Sequence, residues 1–234
     1  EAPEAAALNQ TRVLMELNEL LREDNIVAAS GSLPSDLERV WTARRPGAYH
    51  LEYGFSCMGY EVSGALGVKL ADPEHEVYTF VGDGGFLMGH SDLLTSIQEG
   101  HKINVLLFNN SGHQCIHNLE RSQGMGTFGT EFRFREQSTG GLTGGYVPVN
   151  YAKLASAYGV KTWRVTTLTE LYAAIEASKQ SDVSTLIEIM VLPGTMTEGY
   201  ENFWRVGTAS VAEKESVRKA YEKLNDVVKN LRKY

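Results

Sequence analysis

Cysteine is scarce in this chain. Two residues, Cys57 and Cys115, cannot build a disulfide framework in a protein of 234 residues, and both are expected to be buried thiols. No apolar run approaches the roughly 18 residues of a membrane-spanning helix, and the first residues do not read as a signal peptide. Together these absences point to a reducing, cytoplasmic setting. Basic charge is also in deficit, with 22 Lys and Arg against 29 Asp and Glu and a net charge of -7. A duplex nucleic acid or an anionic membrane therefore finds no basic field, and any anion has to be held locally. Internal repeats and low-complexity tracts are missing too. What is present, 42% hydrophobic and 22% charged residues, is the composition of a globular chain and excludes disorder, collagen and coiled coil. Glu1 stands where an initiator Met is ordinarily found, which leads to the expectation of processing or of a longer parent chain.

The apolar pattern alternates between helix and strand. Residues 4 to 23 carry Leu14, Leu17, Leu20 and Leu21 on one helical stripe, followed by a strand at Ile26–Ala29 and a short helix from Pro34 to Trp41. Met58 to Ala71 reads as a helix buried on more than one side, its Gly59, Gly64 and Gly67 implying close backbone approach. A strand at Val77–Val81, a helix at Phe86–Gln98 and a strand at Ile103–Phe108 make a βαβ unit. After an aperiodic, glycine-rich stretch at 109–149 come a helix near 150–158, a strand at 160–165, a helix at 168–178 and a strand at 184–191. Continuous apolar strands alternating with helices predict an α/β fold, a parallel sheet with helices on both faces. The last segment, from Val211, shows a stripe of Val217, Ala220, Tyr221, Leu224, Val227, Val228 and Leu231. Residues 1–208 are thus read as one α/β domain and 209–234 as a docking helix of the same unit.

In an open parallel sheet, ligands gather beyond the carboxyl ends of the strands. Three loops fall there: Ser30-Gly31-Ser32, Gly82-Asp83-Gly84-Gly85, and Asn109-Asn110-Ser111-Gly112. The second opens a helix after a buried strand, a place where backbone N–H groups favour phosphate oxygens. Asp83 would repel such a phosphate unless a cation lay between them. Mg2+ suits the residues, with Asp83, the Asn110 amide oxygen and the Gly112 carbonyl as oxygen ligands beside phosphate and water. Taken singly, Asp83 and Asn110 also read as ordinary turn and cap residues.

The tripeptide Gly82-Asp83-Gly84, then 25 residues, then Asn110 preceded by Asn109, resembles the signature of thiamine diphosphate-dependent enzymes. That resemblance implies a thiamine diphosphate-binding fold, with Mg2+ held by Asp83, Asn110 and the Gly112 carbonyl. It further implies a cofactor cradle of Ser30, Gly31, Ser32, Gly82, Gly84, Gly85 and His113 together with Ser56, Cys57 and Met58. Met58 would be the apolar wedge that bends the cofactor, and the Ser56 carbonyl would accept from its 4'-amino group; relatives usually carry Gly at position 56. Within the family, Tyr49 to Glu61, Leu66-Gly67-Val68-Lys69, Ala71-Asp72-Pro73, Gly31-Ser32-Leu33-Pro34 and Phe128-Gly129-Thr130 with Arg133 and Arg135 look most like ring-opening cyclohexanedione hydrolases of myo-inositol catabolism. The likeness extends over nearly the whole chain but matches only the carboxyl-terminal, diphosphate-binding domain of such enzymes. It implies a polyol-derived cyclic 1,2-diketone as substrate, opened by C–C hydrolysis to a deoxyhexuronate, and a homodimer or higher homo-oligomer. The glutamate that activates the cofactor lies in this family on an amino-terminal, pyrimidine-binding domain that no part of this chain resembles.

Other readings stay open at this level. An acetolactate-synthase-like carboligase or lyase shares the signature, and a non-catalytic cofactor-binding module would keep the fold. A nicotinamide enzyme is disfavoured, since no G-x-G-x-x-G opens the first helix. His50, His113 and His117 are the candidate catalytic residues, for substrate contact or proton transfer, or else surface and satisfied histidines. Arg133 and Arg135 either grip a carboxylate or form surface pairs.

Overall fold

A computed structural model describes residues 8–195 and 207–230; the predicted start of the first helix and Leu231 lie outside the described residues. In chain order the elements are α1 (Gln10–Leu20), β1 (Asn25–Ala28), α2 (Ser32–Val40), β2 (Tyr49–Leu51), α3 (Tyr60–Ala71), β3 (Val77–Gly82), α4 (Asp83–Gly89) and α5 (Asp92–Glu99). They continue with β4 (Asn104–Asn109), α6 (Gln114–Ser122), α7 (Tyr151–Ser156), β5 (Lys161–Val165), α8 (Leu168–Lys179), β6 (Thr185–Met190) and α9 (Glu215–Lys229).

All strands are parallel, in the order β2-β1-β3-β4-β6-β5. Side chains alternate across each strand, so one strand feeds two cores. Phe80, Leu106, Phe108, Ile187 and Ile189 join α1, α2 and α8 on one face. Val81, Val105, Leu107 and Leu186 join α3, α5 and α7 on the other. This double cover is why the strands read as unbroken apolar runs. Register then levels the loops: Gly82 lies opposite Phe108, so β3 and β4 deliver Asp83 and Asn109 side by side at the carboxyl edge.

Several predicted elements are altered by tertiary contacts. α1 begins at Gln10, where the Asn9 side chain accepts from Arg12 N–H at 3.1 Å and caps the helix. The single helix predicted over Phe86–Gln98 is instead two, starting at Asp83 and broken between Gly89 and Asp92. The break lies where α4 meets the loop before α3: a Cβ on Gly89 would sit 2.4 Å from the Gly59 carbonyl oxygen. β2 has no apolar run to announce it and exists through pairing with β1. α3 is buried on one face only, through Val62, Ala65 and Leu66, while Tyr60 and Leu70 are exposed. The stretch 109–149 is not structureless, since it contains α6, a polar helix that buries only Gln114. α9 is helical as its stripe predicts, yet Val217 is its only buried residue among those described. Cys57 is exposed and Cys115 half-buried, contrary to the buried thiols anticipated. No helix among the described residues is long and apolar enough to cross a membrane.

Leu106 and Leu107 point into opposite cores from the middle of β4. Leu106→Ala and Leu107→Ala should each lower the unfolding free energy by about 2–5 kcal/mol in urea titrations. A loss at one position and none at the other would show that only one face of the sheet is packed.

Candidate functional site

The carboxyl edge of the sheet collects the three loops. Asp83, the first residue of α4, is fully buried. Its Oδ1 accepts from Gly84 N–H at 2.9 Å and its Oδ2 from Gly112 N–H at 3.0 Å, so the carboxylate ties the end of β3 to the turn after β4. Burial opposes its charge and outweighs these backbone hydrogen bonds, pushing its pKa up to about 7. The amide end of Asn110 closes the cluster, one terminal atom standing 2.9 Å from the Gly112 carbonyl oxygen and 3.2 Å from Asp83 Oδ1. A nitrogen there donates to both. An oxygen there makes three oxygens converge, an arrangement that requires a cation among them. The donor set therefore fits a hard divalent ion.

The turn itself is held from two sides. Asn109 Oδ1 accepts from Ser111 N–H at 3.2 Å, and Ser111 sits in the left-handed region at φ 61°. An arm from the long connection pairs against it, with His113 N–H donating to the Thr130 carbonyl at 2.7 Å and Phe132 N–H to the Ser111 carbonyl at 2.8 Å. His113 packs edge-on to Phe132 and lies directly over Gly84; a Cβ on Gly84 would be 2.3 Å from His113 Nδ1. That buried nitrogen has no hydrogen-bond partner among the described residues.

Ser30 joins from β1, but its N–H and hydroxyl are both spent on Glu61 Oε1, at 3.2 and 2.5 Å. Glu61 Oε2 accepts from Gly59 N–H at 2.9 Å, so one buried carboxylate fixes the loop after β1 to the start of α3. The same Ser30 hydroxyl and Glu61 carboxylate lie within 3.6 Å of a Cβ built on Gly85. Gly31 lies nearby, facing Cys115. The loop carrying Ser56, Cys57 and Met58 is organised by Glu52, which accepts from Phe55 N–H at 3.1 Å and Cys57 N–H at 2.9 Å. Ser56 adopts φ 52°, a left-handed conformation that glycine takes at no steric cost.

The structure thus gathers Gly82, Asp83, Gly84, Gly85, Asn110, Gly112 and His113, with Ser30 alongside. His50 stands apart on β2, lining a hollow along α3 with Tyr60, Gly64 and Val68. His117 turns to Thr130 Oγ1 at 3.3 Å and lies 4.0 Å from Glu120. Arg133 is engaged by Glu131 at 3.0 Å and covers the Tyr146 ring at 3.9 Å, while Arg135 binds the Gly140 carbonyl. Both arginines therefore brace the arm. Glu52, Glu61 and Glu188 were not singled out from the sequence. Glu188 had a readable signal, a carboxylate inside the apolar run Leu186-Ile187-Glu188-Ile189.

Residues 29–189 match the family described as thiamine pyrophosphate enzyme, C-terminal TPP binding domain. The chain belongs to this family. Curated relatives include the 3D-(3,5/4)-trihydroxycyclohexane-1,2-dione hydrolase 2 of Bacillus cereus (strain ZK / E33L), 56% identical over 97% of this chain and 35% of the relative. The enzymes of that name from Clostridium tetani (strain Massachusetts / E88) and Geobacillus thermodenitrificans (strain NG80-2) are 56% and 55% identical, over 98% and 97% of this chain and 36% of each relative. The chain thus spans about a third of the length of these relatives. Among solved structures, a thiamine diphosphate-dependent 4-hydroxybenzoylformate decarboxylase of Rhodococcus jostii RHA1 superposes with a TM-score of 0.65. It is 22% identical, over 80% of this chain and 33% of its own, and attests the TPP-binding fold.

Two outcomes follow for this TPP-binding domain. Because Asp83 titrates near 7 when folded and near 3.8 when unfolded, the folded cation-free protein binds the extra proton between these values. Its stability should fall as pH rises from about 4 to 7, and Asp83→Asn should flatten that part of the profile in thermal melts. Gly82 has open space around its Cβ position and φ -76°, whereas Gly84 has His113. Gly82→Ala should change stability by less than about 0.5 kcal/mol. Gly84→Ala should cost about 1–3 kcal/mol and recover part of it with His113→Ala, as a double-mutant cycle would measure.

Proposed function

We propose that this chain is the diphosphate- and Mg2+-binding part of a thiamine diphosphate-dependent hydrolase that opens trihydroxycyclohexane-1,2-dione to 5-deoxy-glucuronate in cytoplasmic myo-inositol catabolism. The observation that carries the site reading is the convergence of Asp83, the Asn110 amide and the Gly112 carbonyl beside the glycines of α4. The substrate reading is supported by 56% identity to relatives bearing that hydrolase name.

Asp83, Asn110 and the Gly112 carbonyl would hold Mg2+, and the N–H of Gly85, with Gly31 and Ser32, would face the diphosphate, the Gly84 N–H being engaged by Asp83. When bound, thiamine diphosphate supplies a nucleophilic carbon able to attack a ketone. The protein's part is to orient it. Met58, half-buried beside the left-handed Ser56, would support the ring between its two ends. His113 Nδ1, buried and without a partner over Gly84, is aimed at the diphosphate cradle and would donate there. The remaining two-thirds of the relatives' length would supply the activating glutamate, from a pyrimidine-binding domain brought together in a dimer. Residues 1–208 and 209–234 would act as one unit, a reading supported by Ser216 Oγ donating to the Gly124 carbonyl at 2.6 Å.

Calorimetric titration of thiamine diphosphate tests the proposal. Binding should require Mg2+, and Asp83→Ala or Asn110→Ala should weaken it by about 100-fold or more. Metal-independent binding, or none to the folded protein, would refute the site. With the amino-terminal part present, turnover of the dione in preference to pyruvate separates the hydrolase from a carboligase.

A further inference from the structure

The acidic residue within β6 is out of character with its strand. Glu188 is fully buried between Ile187 and Ile189 in sequence, yet it is not at the edge where Asp83 and Asn110 meet. Its Oε1 accepts from Asn109 Nδ2 at 2.7 Å, its Oε2 from Ala152 N–H in the first turn of α7 at 3.0 Å, and Arg164 Nε from β5 lies 3.5 Å away. A buried carboxylate is costly to retain, so a residue with three such contacts is there to orient something.

What it orients is the amide of Asn109. An amide can present either its oxygen or its nitrogen, but a carboxylate only accepts, so Asn109 must turn Nδ2 toward Glu188. Its Oδ1 is then forced toward Ser111 N–H, which it accepts at 3.2 Å. Ser111 is thereby held at φ 61°, a region that a non-glycine residue occupies only when its surroundings compensate. On either side of Ser111 are the Asn110 amide and the Gly112 carbonyl. The run from Glu188 through Asn109 to Ser111 therefore ends on the two groups that complete the oxygen cluster around Asp83.

We propose that Glu188 is a positioning residue for the cation-binding turn, acting through the amide of Asn109. This rests on the reading of Asp83, Asn110 and Gly112 as a divalent-cation site. A glutamine at 188 cannot serve both neighbours. If its oxygen accepts from Ala152 N–H, its amide nitrogen faces the Asn109 nitrogen, and Asn109 must rotate and lose Ser111. Exchanging the pair restores the three hydrogen bonds with only the bond between 188 and 109 reversed: Gln at 188 accepts from Ala152 N–H and donates to Asp at 109, which still accepts from Ser111.

The test is Mn2+ binding followed by electron paramagnetic resonance in the presence of thiamine diphosphate, with thermal melts in the absence of metal. Glu188→Gln and Asn109→Ala should each weaken Mn2+ binding by about 10- to 100-fold. The exchanged double variant, Asn109→Asp with Glu188→Gln, should bind within about threefold of the unsubstituted protein even where its melting temperature stays lowered. A merely structural role would make affinity follow melting temperature. Single variants that bind Mn2+ normally, or a folded double variant as weak as the singles, would overturn the proposal. Should the singles not fold, the double variant decides in the same way. No Mn2+ binding by the unsubstituted protein would instead refute the cation site itself, and the positioning role with it.

Discussion

A buried carboxylate at the end of the central strand is the constraint around which this molecule is arranged. Asp83 leaves β3 with no water to solvate it and accepts backbone N–H groups from its own helix and from the turn after β4. Those two hydrogen bonds do not cancel the burial, which is why the carboxyl titrates near neutrality. The protein therefore keeps at the carboxyl edge of its sheet an acid that is half reluctant to ionise, beside the Asn110 amide and the Gly112 carbonyl oxygen; on the proposed reading, a bound cation would make its ionisation favourable. The energetic cost at the edge is balanced by two apolar cores, one on each face, that hold β3 and β4 in register.

Three further glutamates extend this logic outward. Glu61 joins the loop after β1 to the start of α3, Glu52 folds the loop of Ser56 to Met58 around itself, and Glu188 reaches from β6 to Asn109. Each collects backbone or amide N–H groups in a loop that would otherwise lack internal partners. Two left-handed serines, Ser56 and Ser111, lie in the loops so held. Strain sits in loops at the carboxyl edge of the sheet and beside it, and acceptors hold it in place.

Much of this was legible in the residues. The strand and helix alternation was readable because a sheet covered on both faces demands continuous apolar runs, as in Val105-Leu106-Leu107-Phe108. Glycines and oxygen donors at Gly82–Gly85 and Asn109–Gly112 marked the candidate site, because close backbone approach and the hard cation proposed there each need particular residue types. Less legible were contacts between segments far apart. Resemblance places Ser30 in the cofactor cradle, but Glu61 takes both its groups. Arg133 and Arg135 read equally as carboxylate grips or as surface pairs, and only the fold shows Glu131 and the Gly140 carbonyl engaging them. The break between α4 and α5 depends on Gly89 meeting Gly59, and β2 depends on β1.

Periodicity and residue chemistry are local, so the sequence by itself determined the class of fold, the order of most elements and the identity of the groups at the carboxyl edge. Hydrogen-bond partners and burial are not local, and the tertiary structure alone decided which donors are already spent, which histidine lies over the glycine cradle, and that Asp83 is buried deeply enough to hold its proton near neutral pH. Glu188 shows the boundary between the two. Its presence in an apolar strand was readable from sequence, but its purpose required the strand and the Asn109 turn to be brought within 2.7 Å of each other.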